Sequence, residues 1–135
     1  KNKFKDNSYF DESFFLYLEN DDLCLRKKKE NNNIYIVKNA KINHMGGKSH
    51  STTYETEIEY SRNWHWMWSK FYFNKKHYGY LKALIISFPT MITSIIKFFY
   101  YLIKFNRYKK KIYKMRFSGL LNSMLGRKSW YRPKV

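Results

Sequence analysis

The sequence predicts a mixed fold: a partial α/β piece over about residues 8–60, joined to two or three amphipathic helices. Three observations predict it. A capped helix pattern near Asn20 is followed by the β-branched and aromatic run Ile34-Tyr35-Ile36-Val37. A nearly uncharged stretch runs from Ala83 to Ile103. The charge divides the chain in two, with 10 basic and 10 acidic side chains in residues 1–59 but 17 basic side chains and no acid in residues 60–135. The chain is accordingly read as two regions, 1–60 and 61–135.

Taken in order, Lys1-Asn2-Lys3-Phe4-Lys5 has no apolar run behind its charges and is no signal peptide, and the absence of an initiating Met leads us to expect a chain truncated upstream. A 44% hydrophobic and 21% aromatic composition excludes a wholly disordered chain. The lone Cys24, between Leu23 and Leu25, can form no internal disulfide and is expected as a small buried apolar residue. Asn20 is the expected N-cap, Asp21 and Asp22 face the positive helix end, and Lys27-Lys28-Lys29 face the negative end. Asn31-Asn32-Asn33 stops this helix, Ile34 to Val37 has strand length, and Gly46-Gly47 turns the chain after His44. The Ser- and Thr-rich segment from Lys48 to Ser61 is expected to be a loop.

Beyond it, Trp64-His65-Trp66-Met67-Trp68 and Phe71-Tyr72-Phe73 are too aromatic for a simple solvated helix. Their plain reading is core or membrane-interface packing, and stacking on a ligand's ring is the sharper one. Residues 83–103 carry only one charge, Lys97, and a bilayer span needs about 20 apolar residues. Lys97, Pro89 and four hydroxyl residues weaken a span, so helices lying in the interface are expected, with a transmembrane span at 83–103 as the alternative. Residues 104–135 add 11 basic side chains among aromatics. Such a half suits an anionic surface, either lipid or nucleic acid. The uncharged run from Ala83 to Ile96 favours lipid, and no recognised nucleic-acid-binding signature accompanies the charge.

The most informative constellation is Phe10-Asp11-Glu12, then Glu19-Asn20-Asp21-Asp22-Leu23-Cys24-Leu25-Arg26, then Asn39-Ala40-Lys41-Ile42-Asn43-His44. In this order the chain resembles the family 2 glycosyltransferases, in particular bacterial rhamnosyltransferase-like members, whose pattern is FDE, ExxDLxxR, a strand and AxxxH followed by glycines. The resemblance covers residues 8–50 most strongly and extends to Trp64–Gly79, Ser118-Gly119-Leu120-Leu121 and Gly126-Arg127-Lys128-Ser129-Trp130. It implies the C-terminal portion of a GT-A domain, the acceptor and base side, followed by amphipathic, membrane-associated helices.

It also implies transfer of a sugar from a nucleotide-sugar donor to a saccharide or lipid-linked acceptor in cell-surface polysaccharide synthesis, at the cytoplasmic face of the bacterial inner membrane. A divalent metal, Mn or Mg, would be held mostly by an upstream half, because residues 1–135 contain no DXD motif and are expected to be inactive alone. His44 is the ligand that the resemblance assigns here. Many relatives carry the base where Asn20 stands, and an amide cannot take a proton. Either Asp21 takes over as base, or the register places another acid there, or this copy is impaired; Asp21 is ranked first, with Asn20 and Asp22 beside it, Glu19, Trp64 and Trp66 on the acceptor, and Arg26 pairing Asp22 in support. His50, His65 and His77 are read as structural. The alternatives are a basic aromatic module that binds membrane or nucleic acid without catalysis, and a small membrane protein whose motif is vestigial.

Overall fold

The computed structural model describes residues 9–43 and 54–133. The order is α1 (Glu19–Lys29), α2 (Glu55–Tyr78), α3 (Tyr80–Ile103) and α4 (Arg107–Met124). Among the described residues there is no strand, so the expected α/β portion of a GT-A domain is corrected to an all-helical fold. Ile34, Tyr35, Ile36 and Val37 lie in irregular backbone, with Ile36 91% exposed. A strand stabilises itself by pairing its N–H and C=O groups across a ladder, and no described element offers an edge. Local β propensity therefore goes unused.

α1 begins one residue before Asn20, with Leu18 as its left-handed N-cap and no side-chain cap, so Asn20 sits exposed in the first turn. Glu19, Asp21 and Asp22 complement the positive end and Arg26 to Lys29 the negative end. Asn31, at φ 60°, takes the left-handed conformation that ends the helix. Cys24 is exposed rather than buried, because α1 turns Asp22 inward.

The loop expected over 48–61 is helical from Glu55 onward. Its glutamates have partners there: Glu57 accepts from Lys111 at 2.9 Å, and Glu59 accepts from Asn63 at 2.8 Å. α2 runs uninterrupted across residues 60 and 61.

α2 and α4 are parallel, since Glu57 meets Lys111, Trp64 meets Ser118 and Trp68 meets Arg127 in the same sequence direction. α3 runs antiparallel beside α4, from Tyr80 near Met124 to Tyr101 stacked on Tyr113. Gly79, at φ 88°, lets the chain reverse between two 24-residue helices in a single residue. Met67, Phe71, Ala83 and Leu120 form the core, with Leu84, Met91 and Met124 packed against it.

α3 is polarised in the reverse of the usual sense. Small residues Ala83, Ser87 and Ser94 face the bundle. Leu81, Ile85, Phe88, Ile92, Ile96, Phe99 and Ile103, spaced by three and four, form an exposed apolar ridge along its length. Thr93 and Ser94 direct their hydroxyls to the carbonyls of Pro89 and Thr90, satisfying them within the helix. At about 1.5 Å per residue α3 is about 36 Å long. It is long and apolar enough, by length and composition, to cross a membrane.

Candidate functional site

Two segments close around the outer face of α2. Residues 9–17 approach from one side: Phe14 packs edge-on against Tyr72, Ser69 donates to the Leu16 carbonyl at 2.7 Å, and Tyr17 meets Trp66. Residues 127–132 approach from the other side. Gly126, at φ 69°, ends α4 in the left-handed conformation, the Arg127 N–H returns to the Asn122 carbonyl, and Trp68 Nε1 donates to the Arg127 carbonyl at 2.9 Å.

His65 is fully buried between them. It donates from Nε2 to the Tyr131 carbonyl at 2.8 Å and accepts at Nδ1 from Ser129 at 3.0 Å. Burial pushes its pKa down to about 4, which the Tyr131 hydrogen bond offsets only in part. It is therefore uncharged at neutral pH and serves as a tie between α2 and the C-terminal segment.

Asp22 is the hub of the charged cluster that docks α1 on α2. Its Oδ2 accepts from Arg26 Nε at 2.9 Å, and its Oδ1 accepts from His77 Nε2 at 2.8 Å and pairs with Lys76 Nζ at 2.7 Å. Lys76 also donates to Asp11 at 2.7 Å, and Asp11 accepts further from Tyr72 at 3.0 Å and the Ser13 N–H at 2.9 Å. Burial alone would raise both carboxyls. The Lys76 ammonium and the other donors outweigh it, holding Asp11 at about 2 and Asp22 below the usual carboxylate range. Lys76 is held above its ordinary value despite burial by the same two carboxylates. Lys29 donates to His77 Nδ1, which fixes the ring with its proton on Nε2 toward Asp22.

The sequence-predicted site residues fall into three groups. Asp22 and Arg26 belong to the buried cluster, where Asp22 is saturated by cations and donors and is not placed to accept a substrate proton. Asn20 and Asp21 are exposed at the start of α1, beside the half-buried Glu19, whose Oε2 is buried without a partner. Trp64 is fully buried, donates to Ser118 and packs against Trp130 and Tyr131, which withdraws it as a sugar platform. Trp66 is 42% exposed and keeps an open face.

His44 and His50 lie outside the described residues. The divalent metal implied by the resemblance needs several convergent carboxylates or imidazoles. Among the described residues no group of three or more such side chains could hold one, and the Lys76 ammonium stands between Asp11 and Asp22 where a cation would be drawn. The described residues do not fit that metal.

Sequence reasoning passed over Lys76 and Tyr72, whose roles arise through contacts with residues more than 50 positions away, and it read His77 as structural without its partner Asp22. It also passed over a cleft of about 590 Å³ between the N- and C-terminal segments, with an aromatic wall of Phe14, Phe15, Trp68 and Tyr72 and cations at Lys75, Arg127, Lys128 and Arg132. The Arg-Lys pair following Gly126 was the available signal. Comparison of the chain with protein-family models, with curated proteins and with solved structures returns no match.

Proposed function

We propose that this chain is the acceptor-side, membrane-docking part of a glycosyltransferase that extends a saccharide or lipid-linked acceptor at the cytoplasmic face of a bacterial inner membrane. The observation that carries the reading is convergence. Parts of three of the stretches that resemble the family, residues 12–15, 68–75 and 126–129, line one cleft although about a hundred residues separate the first from the last in sequence. In this reading Asp21, exposed on the first turn of α1, takes the acceptor hydroxyl's proton as that oxygen bonds the anomeric carbon and the carbon–diphosphate bond breaks. The diphosphate departs with the bonding electrons. The nucleotide-sugar and its metal belong to residues outside those described.

The membrane half of the reading rests on the apolar ridge of α3 and the cations around it. α4 lies along α3 and carries Arg107, Lys109, Lys110, Lys111, Lys114 and Arg116. Were α3 to cross the bilayer with α4 attached, these six would enter the hydrocarbon at about 3 kcal/mol each. Lying in the interface, α3 buries its ridge while the cations meet anionic headgroups, each contributing about 1 kcal/mol. A membrane-binding module without catalysis is the second reading, favoured by the commitment of Asp22 to its ion pairs.

The test is sugar transfer by the complete gene product, with a panel of nucleotide-sugars and Mn or Mg, wild type beside Asp21→Asn. Transfer by wild type and a loss of about 100-fold or more in Asp21→Asn, with unchanged helicity, is the expected result. Wild type inert with every donor, or Asp21→Asn as active as wild type, would sink the catalytic assignment and leave the second reading.

A further inference from the structure

We infer that the cleft between the N- and C-terminal segments is a binding site for a phosphate or diphosphate ester. Its lining brings together four cations, Lys75, Arg127, Lys128 and Arg132, and a single carboxylate, Glu12. None of the four cations is ion-paired among the described residues, in contrast to Arg26, Lys76 and Lys111, which are. Unpaired cations gathered in a concave site attract a polyanion and raise its local concentration.

The site is also built. Ser123, at the end of α4, is 3% exposed, lines the cleft, and has a buried hydroxyl with no hydrogen-bond partner. A buried hydroxyl without a partner is costly, and a ligand oxygen relieves that cost. Arg132 is held in place in advance: its guanidinium lies 3.7 Å from the centre of the Phe15 ring, and its Nη1 donates to the carbonyls of Ser129 and Tyr131. Planar guanidinium groups grip phosphate through paired donors, and one already immobilised loses little entropy in doing so. The aromatic wall of Phe14, Trp68 and Tyr72 gives the organic part of an ester an apolar surface.

One end of the lining adjoins the corner where α2 hands over to α3. Lys75, in the lining, lies over the Tyr80 ring at the start of α3, and Tyr80 reaches back to the Met124 carbonyl. Soluble phosphate esters and lipid-linked ones carry the same chemistry, and the experiment separates the two sources. The inference rests on the preceding reading only for its biological role, as the seat of the charged group of a lipid-linked acceptor.

The experiment uses the whole chain and two probes. Calorimetry with inorganic pyrophosphate compares wild type, Arg127→Ala/Lys128→Ala, Ser123→Ala, and the charge-matched pair Lys38→Ala/Lys41→Ala, which lies outside the cleft. Flotation compares phosphatidylcholine vesicles with and without a prenyl diphosphate. Pyrophosphate binding weakened about tenfold or more by Arg127→Ala/Lys128→Ala and a few-fold by Ser123→Ala, yet kept within about twofold by Lys38→Ala/Lys41→Ala, supports the site. Added retention on doped vesicles assigns a membrane-carried source, and its absence beside solution binding assigns a soluble one. Equal weakening by the two charge-removing pairs, or no binding of either probe, overturns the inference. Diphosphate binding in a protein that transfers no sugar would count against the enzymatic reading alone.

Discussion

Replacing Gly119 by alanine is expected to lower the unfolding free energy by about 3 kcal/mol, read as a lower urea midpoint with an unchanged slope. α2 and α4 meet backbone to backbone at this residue. A Cβ built on Gly119 would lie 2.2 Å from the Trp64 carbonyl oxygen and 3.0 Å from its carbonyl carbon. These are backbone atoms inside a helix and cannot swing aside, so the two helices must separate. Separation would also open the seat of Trp64, which is fully buried and bonded to Ser118 one residue before the glycine. Overpacking of a tight core usually costs about 1–3 kcal/mol, and a clash with rigid backbone belongs at the upper end. Alanine tolerated within about 0.5 kcal/mol would mean that the helices do not approach as described.

The second large effect is expected at Asp22. Asp22→Asn keeps the shape and removes the charge on which Arg26, Lys76 and His77 converge. Removing one partner of a buried ion-pair network costs about 3–5 kcal/mol, because the remaining charges stay desolvated without compensation. The loss should appear as reduced stability and as detachment of α1 from α2, measurable by faster hydrogen exchange across Glu19–Lys29.

The same cluster fixes the sign of the acid response. The folded carboxyls of Asp11 and Asp22 lie below their ordinary value of 3.8, with Asp11 at about 2. The contribution of Asp11 is complete above the unfolded pKa and is lost as pH falls from about 3.8 toward 2, and that of Asp22 is lost in the same direction as pH falls below 3.8. Wild type should therefore lose stability steeply over that window, and Asp22→Asn should lose less. Parallel acid limbs for the two proteins would contradict the role given to Asp22.

Features governed by neighbours in sequence were legible. The spacing of Asp22 and Arg26 by four residues invites a pair on one helix, and the two meet at 2.9 Å. The low-charge run from Ala83 to Ile103 announces a long apolar helix, and α3 extends from Tyr80 to Ile103. What the sequence did not disclose depends on distant partners. Ile34 to Val37 has every local feature of a strand, but a strand exists only by pairing, and none of the described elements supplies an edge. Asp11 reads as a motif residue, yet its partner Lys76 stands 65 positions away. Trp64 and Trp66 are indistinguishable in the text of the sequence, and the approach of Gly119 buries the first and leaves the second open.

The candidate site divides along the same line. Candidate residues could be named from the sequence, but their surroundings could not. Only the folded chain separates Asp22, consumed by cations, from Asp21, which remains exposed two residues along from Glu19. Of the cleft cations, Lys75 comes from α2 and Arg127 and Arg132 from the C-terminal segment, and they gain meaning only where the two meet.

The measurement that bears most directly on the membrane-docked reading is the depth of α3 in a lipid bilayer. With the exposed Cys24 changed to serine, single spin labels at Ile85, Ile92, Ile96 and Ile103 would be read by their accessibility to oxygen and to a polar relaxant on vesicles rich in anionic lipid. All four labels at one shallow depth, about 5–10 Å below the headgroups, are the predicted result for a helix lying in the interface on its apolar ridge. A depth that rises and falls steadily from Ile85 to Ile103 would mean a transmembrane helix, and labels that stay in water would mean that the ridge does not meet lipid at all. Either outcome would contradict the account.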